Sequence, residues 1–332
     1  MNKCYHKIMS TDCLYIFVHL PKSAGTTLIT HLQKNFPAKQ LLEVNSNTLN
    51  CQRLVFAIDE YQAAIKAKLA SLSLQQRQNL RFIYSHGTVA HAFDQLSTKK
   101  PFYLTFFRDP AERIVSLYNY HRQVYEHNSA KEQNHQHYHR LLLVNDQVPS
   151  FWQWYQQKFT QIKNHLGLCT MVKFFQYLGF LAPGRVSQTK LQAMLAQFSF
   201  VGFTQTFTQD SLYLYHQWGV KRFFINQNIS NQYFDLQQHP KISKQLKKDL
   251  QDDYQLYTLA QQQRQAWLKK HPEYHSIVAH MKDKQQMFRP WQQLFYGWPE
   301  NWQWLKTHWR SFAANKSSFL RQYKAKLSSL FN

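Results

Sequence analysis

Short apolar runs alternate with longer amphipathic stretches along most of this 332-residue chain. The apolar runs suit strands buried on both faces of a sheet, and they predict strands at 14–18, 81–84, 101–107, 200–203 and 222–226. Apolar residues at helical spacing predict helices at 28–32, 54–80, 111–125, 149–159, 166–181, 190–198 and 246–267. The alternation predicts an α/β fold, in which a mainly parallel central sheet is flanked by helices.

From 290 onward the chain is rich in Trp, then basic and again helical, which predicts a helical C-terminal extension. No internal repeat and no flexible Gly/Ser linker interrupts the chain. One domain over 1–270, followed by the extension at 271–332, is therefore the simplest organisation.

Polar turns follow the predicted strands at 21–27, 85–87, 108–110 and 226–230. In a parallel sheet the carboxyl ends of the strands meet at one edge, and ligands bind there. We therefore expect the chemistry of the chain to lie in these turns.

The first turn carries a lysine and several hydroxyls just before a helix. Helix N-terminal amides carry partial positive charge, a lysine adds a full charge, and hydroxyls donate hydrogen bonds. The turn therefore predicts a phosphate-binding loop made of Lys22, Ser23, Ala24, Gly25, Thr26 and Thr27. It is not the GxxxxGK[ST] loop of nucleoside triphosphatases, because Lys22 precedes the only Gly. An ordinary helix N-cap is the alternative interpretation.

A second candidate phosphate site follows the strand at 101–107. Arg108 stands at the strand end, and Ser116 lies eight residues on, two helical turns along. A guanidinium and a hydroxyl placed in this way can converge on one phosphate. The alternative is an ion pair between Arg108 and Asp109, with Ser116 facing solvent.

A third candidate, Ser85-His86-Gly87, ends the strand between these two sites. A His at a strand tip suits a general base because its ordinary pKa is near neutral. His86 is therefore the predicted catalytic base, and His91 is a nearby rival. His19, inside the first apolar run, is expected to be a core residue.

The order PKSAGTT resembles the 5′-phosphosulfate loop of sulfotransferases, in the carbohydrate branch that includes the heparan sulfate 2-O- and 6-O-sulfotransferases and bacterial relatives. The stretch RDPAERIVSLY at 108–118 resembles the 3′-phosphate element RDPxxRxxSxY of the same family. Relatives carry a GH pair where this chain has Ser85 and His86, and in the 2-O-type enzymes that His is the general base. The resemblance implies a P-loop-like sheet and the donor 3′-phosphoadenosine-5′-phosphosulfate (PAPS).

The resemblance also implies a role for each matched residue. The loop at 21–27 would bind the 5′-phosphosulfate, with Lys22 near the bridging oxygen. Arg108 and Ser116 would bind the 3′-phosphate, and His86 would take the proton of the acceptor. The implied activity is sulfuryl transfer to a hydroxyl, on a carbohydrate, with no metal required.

Weaker similarity continues downstream, at 200–207 and 253–257. Asn228 and Ser230 match the segment that follows the last strand in the family and contacts the nucleotide. The resemblance thus extends over about 14–260, and its specific motifs are confined to 21–27 and 108–118.

The net charge of the chain indicates which class of partner it binds. Lys and Arg number 40 against 18 Asp and Glu, so the formal net charge is +22. This balance favours anionic partners such as nucleotides and acidic glycans, and no nucleic-acid motif points to DNA or RNA. The four Cys are widely spaced, which predicts reduced thiols rather than a disulfide framework or a zinc site.

The N-terminus has no apolar core of a signal peptide, and no run of about 18 apolar residues occurs. We therefore expect a soluble cytoplasmic protein, in contrast to the membrane-anchored animal Golgi members of the family. Its basic C-terminal tail is compatible with peripheral contact at an anionic inner-membrane surface. The alternating His residues at 135–139 are compatible with metal chelation, but an exposed loop is the simpler interpretation.

Two other classes of function stay open at this stage. One is a nucleotide or sugar kinase, which the position of Lys22 and the stretch at 108–118 oppose. The other is a non-catalytic basic protein that binds glycans or other polyanions. Saccharides, lipid-linked glycans and small alcohols all carry the required acceptor hydroxyl, and the sequence indicates no oligomeric state.

Overall fold

The computed structural model describes residues 13–44, 58–94, 96, 98–127, 141–159, 169–220 and 231–296. Its centre is a β-sheet whose described strands are β1 (Cys13–Val18), β2 (Leu41–Glu43), β3 (Phe82–Ser85), β4 (Lys100–Phe107) and β5 (Phe200–Phe203). They lie in the order β2-β3-β1-β4-β5, and every described pair of neighbours is parallel. The predicted α/β fold with a parallel central sheet is confirmed.

Most strand predictions are confirmed. The apolar runs at 14–18, 81–84, 101–107 and 200–203 lie in or overlap β1, β3, β4 and β5. The sequence pattern misses β2, because three residues at the end of the sheet are too few to show a period. The strand predicted at 222–226 lies outside the described residues.

The strand β1 lies in the middle of the sheet, with β3 on one side and β4 on the other. Its residues from Leu14 to Val18 are all buried, as a strand covered on both faces requires. From β1 the chain builds one side of the sheet with β2 and β3, and then the other side with β4 and β5. Open α/β sheets bind their ligands at such a change of direction, beyond the carboxyl ends of the strands.

Helices connect and flank the strands. The described ones are α1 (Gly25–Asn35), α2 (Ile58–Ala70), α3 (Leu74–Asn79), α4 (Pro110–His127), α5 (Phe151–Trp154), α6 (Met171–Tyr177), α7 (Gln188–Leu195), α8 (Phe207–Trp218), α9 (Pro240–Asp249), α10 (Gln251–Lys270) and α11 (Tyr274–Tyr296). A π-helical turn at Tyr155–Phe159 continues α5. The helices α1 and α4 start directly after the two turns that carry the candidate phosphate sites.

Two helices predicted as continuous are divided in the structure. The described part of 54–80 forms α2 and α3, because Ser73 begins a new helix with a capping box to Gln76. The stretch 246–267 spans α9 and α10, which meet at the non-helical Leu250. The helix α8 has no counterpart among the predicted helices.

Within the described residues, two apolar clusters pack elements that flank the candidate site. The larger contains Ile16 of β1, Phe107 of β4 and side chains of α6, α7 and α10. The smaller packs α4 against α5 and α9 around the fully buried Trp154. Because β4 belongs to the first cluster and α4 to the second, the turn between them is held from both sides.

Contacts divide the chain into two compact units, Met1–Val278 and Ala279–Asn332. The domain assignment expected from the sequence, 1–270 and 271–332, stays a prediction. Among the helices that the structure describes, none is long and apolar enough to cross a membrane.

Candidate active site

Three neighbouring strands end at the same edge of the sheet, and the predicted site residues follow them. Val18 of β1 is paired with Ser85 of β3, and the amide of His19 donates to the carbonyl of Ser85 across 2.9 Å. On the other side of β1, β4 ends one residue before Arg108. The structure therefore brings the Lys22 loop, His86 and Arg108 to one edge.

The loop after β1 turns sharply into α1. Lys22 and Ala24 have left-handed backbone φ angles of 64° and 62°, which are uncommon for residues with a side chain. Ala24 occupies the N-cap position, and no side chain caps the helix there. The first turn of α1 thus lacks a side-chain acceptor for its amides, a property that suits an anion site. The interpretation of this turn as an ordinary side-chain N-cap is wrong.

The hydroxyls of the loop differ in their surroundings. Ser23 is almost fully buried, and its Oγ has no hydrogen-bond partner among the described residues. Thr27 is buried, whereas Thr26 is exposed. A buried polar group without a partner costs about 1–3 kcal/mol. Ser23 therefore has hydrogen-bonding capacity that a ligand in the loop can satisfy.

The ammonium of Lys22 lies over the ring of Tyr120, with Nζ 4.0 Å from the ring centroid. Burial, the larger cause, and repulsion from the charge of Arg108, the smaller one, together lower the pKa of Lys22 to about 8. No carboxylate among the described residues forms an ion pair with it. A bound anion would therefore favour the charged form of Lys22.

The imidazole of His19 packs directly against the start of α1. A Cβ on Gly25 would lie 2.0 Å from Cδ2 of His19, so glycine is needed here to leave room for the ring. The same ring stacks on that of His86, with the two centroids 3.9 Å apart. Burial lowers the pKa of His19 well below its usual value, and the charges of His86 and Lys22 lower it further. His19 is buried as predicted, and it links the loop to the candidate base.

His86 directly follows β3. Its Nδ1 lies 2.8 Å from the carbonyl oxygen of His19, which accepts hydrogen bonds and cannot donate them, so Nδ1 carries the proton. In the neutral ring Nε2 then keeps the lone pair that a base needs. Desolvation by the surrounding protein is the largest influence on the pKa of His86 and lowers it. The hydrogen bond to the carbonyl of His19 raises this pKa in part, and the nearby charge of Lys22 lowers it again. The ring is therefore neutral at pH 7, while part of its surface reaches solvent.

Ser85 occupies the position at which the relatives carry Gly. Its hydroxyl donates to the carbonyl of Val44 and accepts from the amide of Gly87, the latter across 2.7 Å. Ser85 therefore ties the turn that presents His86 to the end of β2.

His91, the rival base, lies away from this edge. Its Nδ1 is 2.8 Å from Oδ2 of Asp94, and the hydroxyl of Tyr103 donates to the other oxygen of the same carboxylate across 2.7 Å. Tyr103 lies four residues before the end of β4, which is about 13 Å back along the strand. This geometry favours His86 over His91 as the base.

Arg108 is not paired with its neighbour Asp109. Instead, Oδ1 of Asp109 caps α4 by accepting from the amides of Ala111 and Glu112 at 3.0 Å and 3.1 Å, and from the hydroxyl of Tyr254 at 3.1 Å. Arg108 forms a loose ion pair with Glu112 at 3.7 Å, and its buried Nε makes no hydrogen bond within the described residues. The interpretation of Arg108 and Asp109 as an ion pair is therefore wrong, and the guanidinium has capacity for another acceptor.

Ser116 lies on α4 two turns after Arg108 and is buried, so the interpretation that it faces solvent is wrong. Arg113 lies between Arg108 and Ser116 on the chain, and its role was not predicted from the sequence. Its buried guanidinium donates to the carbonyl of Pro21 at 3.5 Å and to that of Cys169. Arg113 thus holds the residue that precedes Lys22, and its signal in the sequence is the second Arg of the stretch at 108–118.

The family model described as "Sulfotransferase family" matches residues 5–275, which include the Lys22 loop, His86 and the Arg108–Ser116 stretch. The chain belongs to the sulfotransferase family. A comparison with curated proteins finds no match. The predicted membership of the sulfotransferase family is confirmed, and the carbohydrate branch stays a prediction.

Two predicted site residues of this sulfotransferase, Asn228 and Ser230, lie outside the described residues. The next described residue, Asn231, is held on α4, since its amide donates to Oε1 of Gln123 across 3.2 Å. Nearby, the hydroxyl of Tyr233 donates to Glu126 of the same helix. From Asn231 to Tyr233 the chain therefore lies against the helix that carries Ser116.

The His-rich stretch at 135–139 also lies outside the described residues. In the parts of the chain that the structure describes, no group of three or more His, Cys, Asp or Glu residues is arranged to hold a metal ion. The chemistry available at the edge of the sheet is that of a lysine, a neutral imidazole, an arginine and buried hydroxyls.

Proposed function

We propose that this sulfotransferase moves the sulfuryl group of PAPS to a hydroxyl of a carbohydrate. The observation that carries the proposal is that two polar sites with unused hydrogen-bonding atoms lie at one sheet edge, with an imidazole beside them. Within the described residues, these atoms are Oγ of Ser23 in the first site and Nε of Arg108 in the second. A donor with anionic groups at both its 5′ and 3′ ends has the charges to engage both sites.

The donor is held in this proposal by residues from three segments of the chain. The loop Lys22, Ser23, Ala24, Gly25, Thr26 and Thr27 binds the 5′-phosphosulfate through its amides, hydroxyls and ammonium. Arg108 and Ser116 bind the 3′-phosphate. Asn228 and Ser230 contribute further contacts to the nucleotide.

In the transfer step the acceptor oxygen attacks sulfur, and an S–O bond forms. The S–O bond to the 5′-phosphate breaks, and its electron pair leaves with adenosine 3′,5′-bisphosphate. Nε2 of His86 takes the proton of the acceptor hydroxyl, so the charge balances. Lys22 stabilises the negative charge that develops on the bridging oxygen. Positioning and electrostatics therefore supply most of the catalysis, as in phosphoryl transfer.

The carbohydrate acceptor is supported by the resemblance to the carbohydrate branch of the family. The net charge of +22 favours an acidic glycan over a neutral one, because a positive surface raises the local concentration of anions. The wide spacing of the Cys residues supports a reducing, cytoplasmic compartment. Peripheral contact of the basic tail with an anionic membrane belongs to the same proposal.

The direct test is transfer of radiolabelled sulfate from PAPS to a panel of glycans and cell extracts. Removing a positioned charge costs about 10²–10³ in rate, so Lys22→Ala should reduce kcat by that factor. His86→Ala should reduce kcat by about 10² or more. The matched controls are Lys39→Ala, which removes an exposed lysine, and His91→Ala, and both should transfer at the wild-type rate. Near-normal turnover of His86→Ala would show that the base is assigned wrongly.

Calorimetric binding separates this function from the alternatives. The wild-type protein should bind adenosine 3′,5′-bisphosphate more tightly than adenosine 5′-monophosphate, and Arg108→Ala should remove most of the difference. A kinase or a generic polyanion binder has no reason for such a preference. Added salt should weaken both affinities and keep the preference. Equal affinity for the two nucleotides together with no transfer would contradict the proposal.

A further inference from the structure

The ring of Tyr120 holds the ammonium of Lys22 without neutralising it. A cation 4.0 Å above an aromatic face is attracted by the quadrupole of the ring. A carboxylate in the same place would form a charge-assisted hydrogen bond, use N–H donors of the lysine and compete with an anionic donor. The ring leaves both the charge and the donors of Lys22 available.

Tyr120 also lies on the helix that carries the second phosphate site. Arg113, Ser116 and Tyr120 stand at positions i, i+3 and i+7 of α4, so they lie along one face. On this face Arg113 donates to the carbonyl of Pro21, and Tyr120 contacts the side chain of Lys22. One face of α4 therefore contacts two consecutive residues of the loop, one through its backbone and one through its side chain.

Such a contact matters because a lysine side chain is long and flexible. Fixing it in one conformation costs rotamer entropy, and a group that is already fixed does not incur this cost when the transition state forms. The left-handed backbone of Lys22 already directs the start of the side chain. The ring of Tyr120 then restricts the ammonium end of the Lys22 side chain.

We propose that Tyr120 is a positioning residue that holds Lys22 in place for the 5′-phosphosulfate before the donor binds. The inference rests on the proposed function, since it requires that Lys22 acts on the donor. Tyr120 contacts Lys22 and no reacting atom. Because Lys22 stabilises charge that develops only in the transition state, removal of Tyr120 should slow the transfer step more than it weakens nucleotide binding.

The first test compares Tyr120→Phe, which keeps the ring, with Tyr120→Leu, which removes it. Tyr120→Phe should keep kcat within about twofold, and Tyr120→Leu should lower kcat about tenfold, a factor within the range of partly desolvated cation–π contacts. The KM for PAPS and the affinity for adenosine 3′,5′-bisphosphate should change by about threefold or less. The matched control is Tyr125→Leu on the same helix, where the side chain packs against the cluster around Trp154.

The pH profile gives a readout that a purely structural role would not move. The charged and titratable groups around the Lys22 ammonium are Arg108 after β4, His19 after β1, His86 after β3 and Tyr120 on α4. The ring favours the protonated form of Lys22, so its loss should move the basic limb of kcat/KM to lower pH. A tenfold loss of stabilisation corresponds to a shift of about one pH unit. Tyr120→Phe and Tyr125→Leu should leave the limb in place.

A series of fluorinated phenylalanines at position 120 avoids the problem of a variant that folds poorly. Each added fluorine weakens the quadrupole and changes the shape of the ring little, so kcat should fall stepwise along the series. A flat series would overturn the proposal, as would Tyr120→Leu with the wild-type kcat. Faster transfer with tighter nucleotide binding in Tyr120→Leu would show that the ring withholds Lys22 rather than positions it. If the wild-type protein neither transfers sulfate nor prefers the bisphosphate, the proposed function itself fails.

Discussion

Replacing Gly25 by Ala would test how the start of α1 positions the base through His19. The added Cβ would lie 2.0 Å from Cδ2 and 2.1 Å from Nε2 of the imidazole. Ordinary van der Waals contact begins at 3.4 Å. The ring or the loop therefore has to retreat by about 1.4 Å, which is the overpacking of a well-packed site.

The imidazole of His19 has little freedom to retreat. It is buried, stacks on His86 at 3.9 Å and stacks on Phe17 at 5.3 Å. Overpacking at such a position costs about 1–3 kcal/mol in the free energy of unfolding. Since a misplacement of about 1 Å can reduce a rate by about 10²-fold, displacement of His86 or of the loop should lower kcat by a factor of that order.

Urea unfolding and radiolabelled transfer measure the two effects separately. Gly25 lies outside the left-handed region, so the destabilisation reports contact with the ring rather than backbone strain. In a His19→Ala background the space is open. Adding Gly25→Ala to that background should be neutral or stabilising, because Ala favours a helix over Gly by up to about 1 kcal/mol.

The reasoning is refuted if Gly25→Ala unfolds at the wild-type urea concentration and transfers at the wild-type rate. It is also refuted if the free-energy cost of Gly25→Ala is the same with and without the ring of His19. Either result would mean that the contact between the two residues does not position the base.

Three further predictions follow from the site and its supports. The kcat/KM profile should fall above about pH 8, where Lys22 with its lowered pKa loses its proton, and should remain high below pH 6.5 until the pH reaches the lowered pKa of His86. Asp109→Ala should cost about 1 kcal/mol in urea unfolding because α4 loses its cap, and should weaken binding of adenosine 3′,5′-bisphosphate, whereas Asp109→Asn should keep both. Asp210→Ala should cost about 3–5 kcal/mol in urea unfolding, because it leaves the buried guanidinium of Arg264 without its carboxylate.

Each of these predictions has a control. His86→Ala should abolish the acid limb along with most of the activity, so an unchanged acid limb would contradict the assignment of the base. An equal effect of Asp109→Asn and Asp109→Ala would contradict the capping role. For Asp210 the comparison is Asp252→Ala on the exposed side of α10; a similar loss in both variants would contradict the role of the buried pair.

Much of the fold was predictable because burial leaves a local signature. Strands such as β1 and β4 are covered on both faces, so each consists of adjacent apolar residues that are visible without the rest of the chain. The loop around Lys22 and the spacing of Arg108 and Ser116 are equally local. They indicated phosphate sites, and the family resemblance indicated which phosphates. In contrast, β2 and the division of 58–80 into two helices depend on edge pairing and on one capping serine.

The contacts that distinguish the residues at the site come from the tertiary structure. The carbonyl of His19 determines which nitrogen of His86 carries the proton, although the two residues are 67 positions apart in the chain. The hydrogen bond from Arg113 to the carbonyl of Pro21 joins residues that are 92 positions apart. Tyr120 reaches Lys22 in the same way. The sequence by itself determined which residue types follow the strands. The parallel crossovers, which bring distant strand ends to one edge, decided which of these residues touch, because such contacts depend on packing of the whole sheet and leave no period in the sequence.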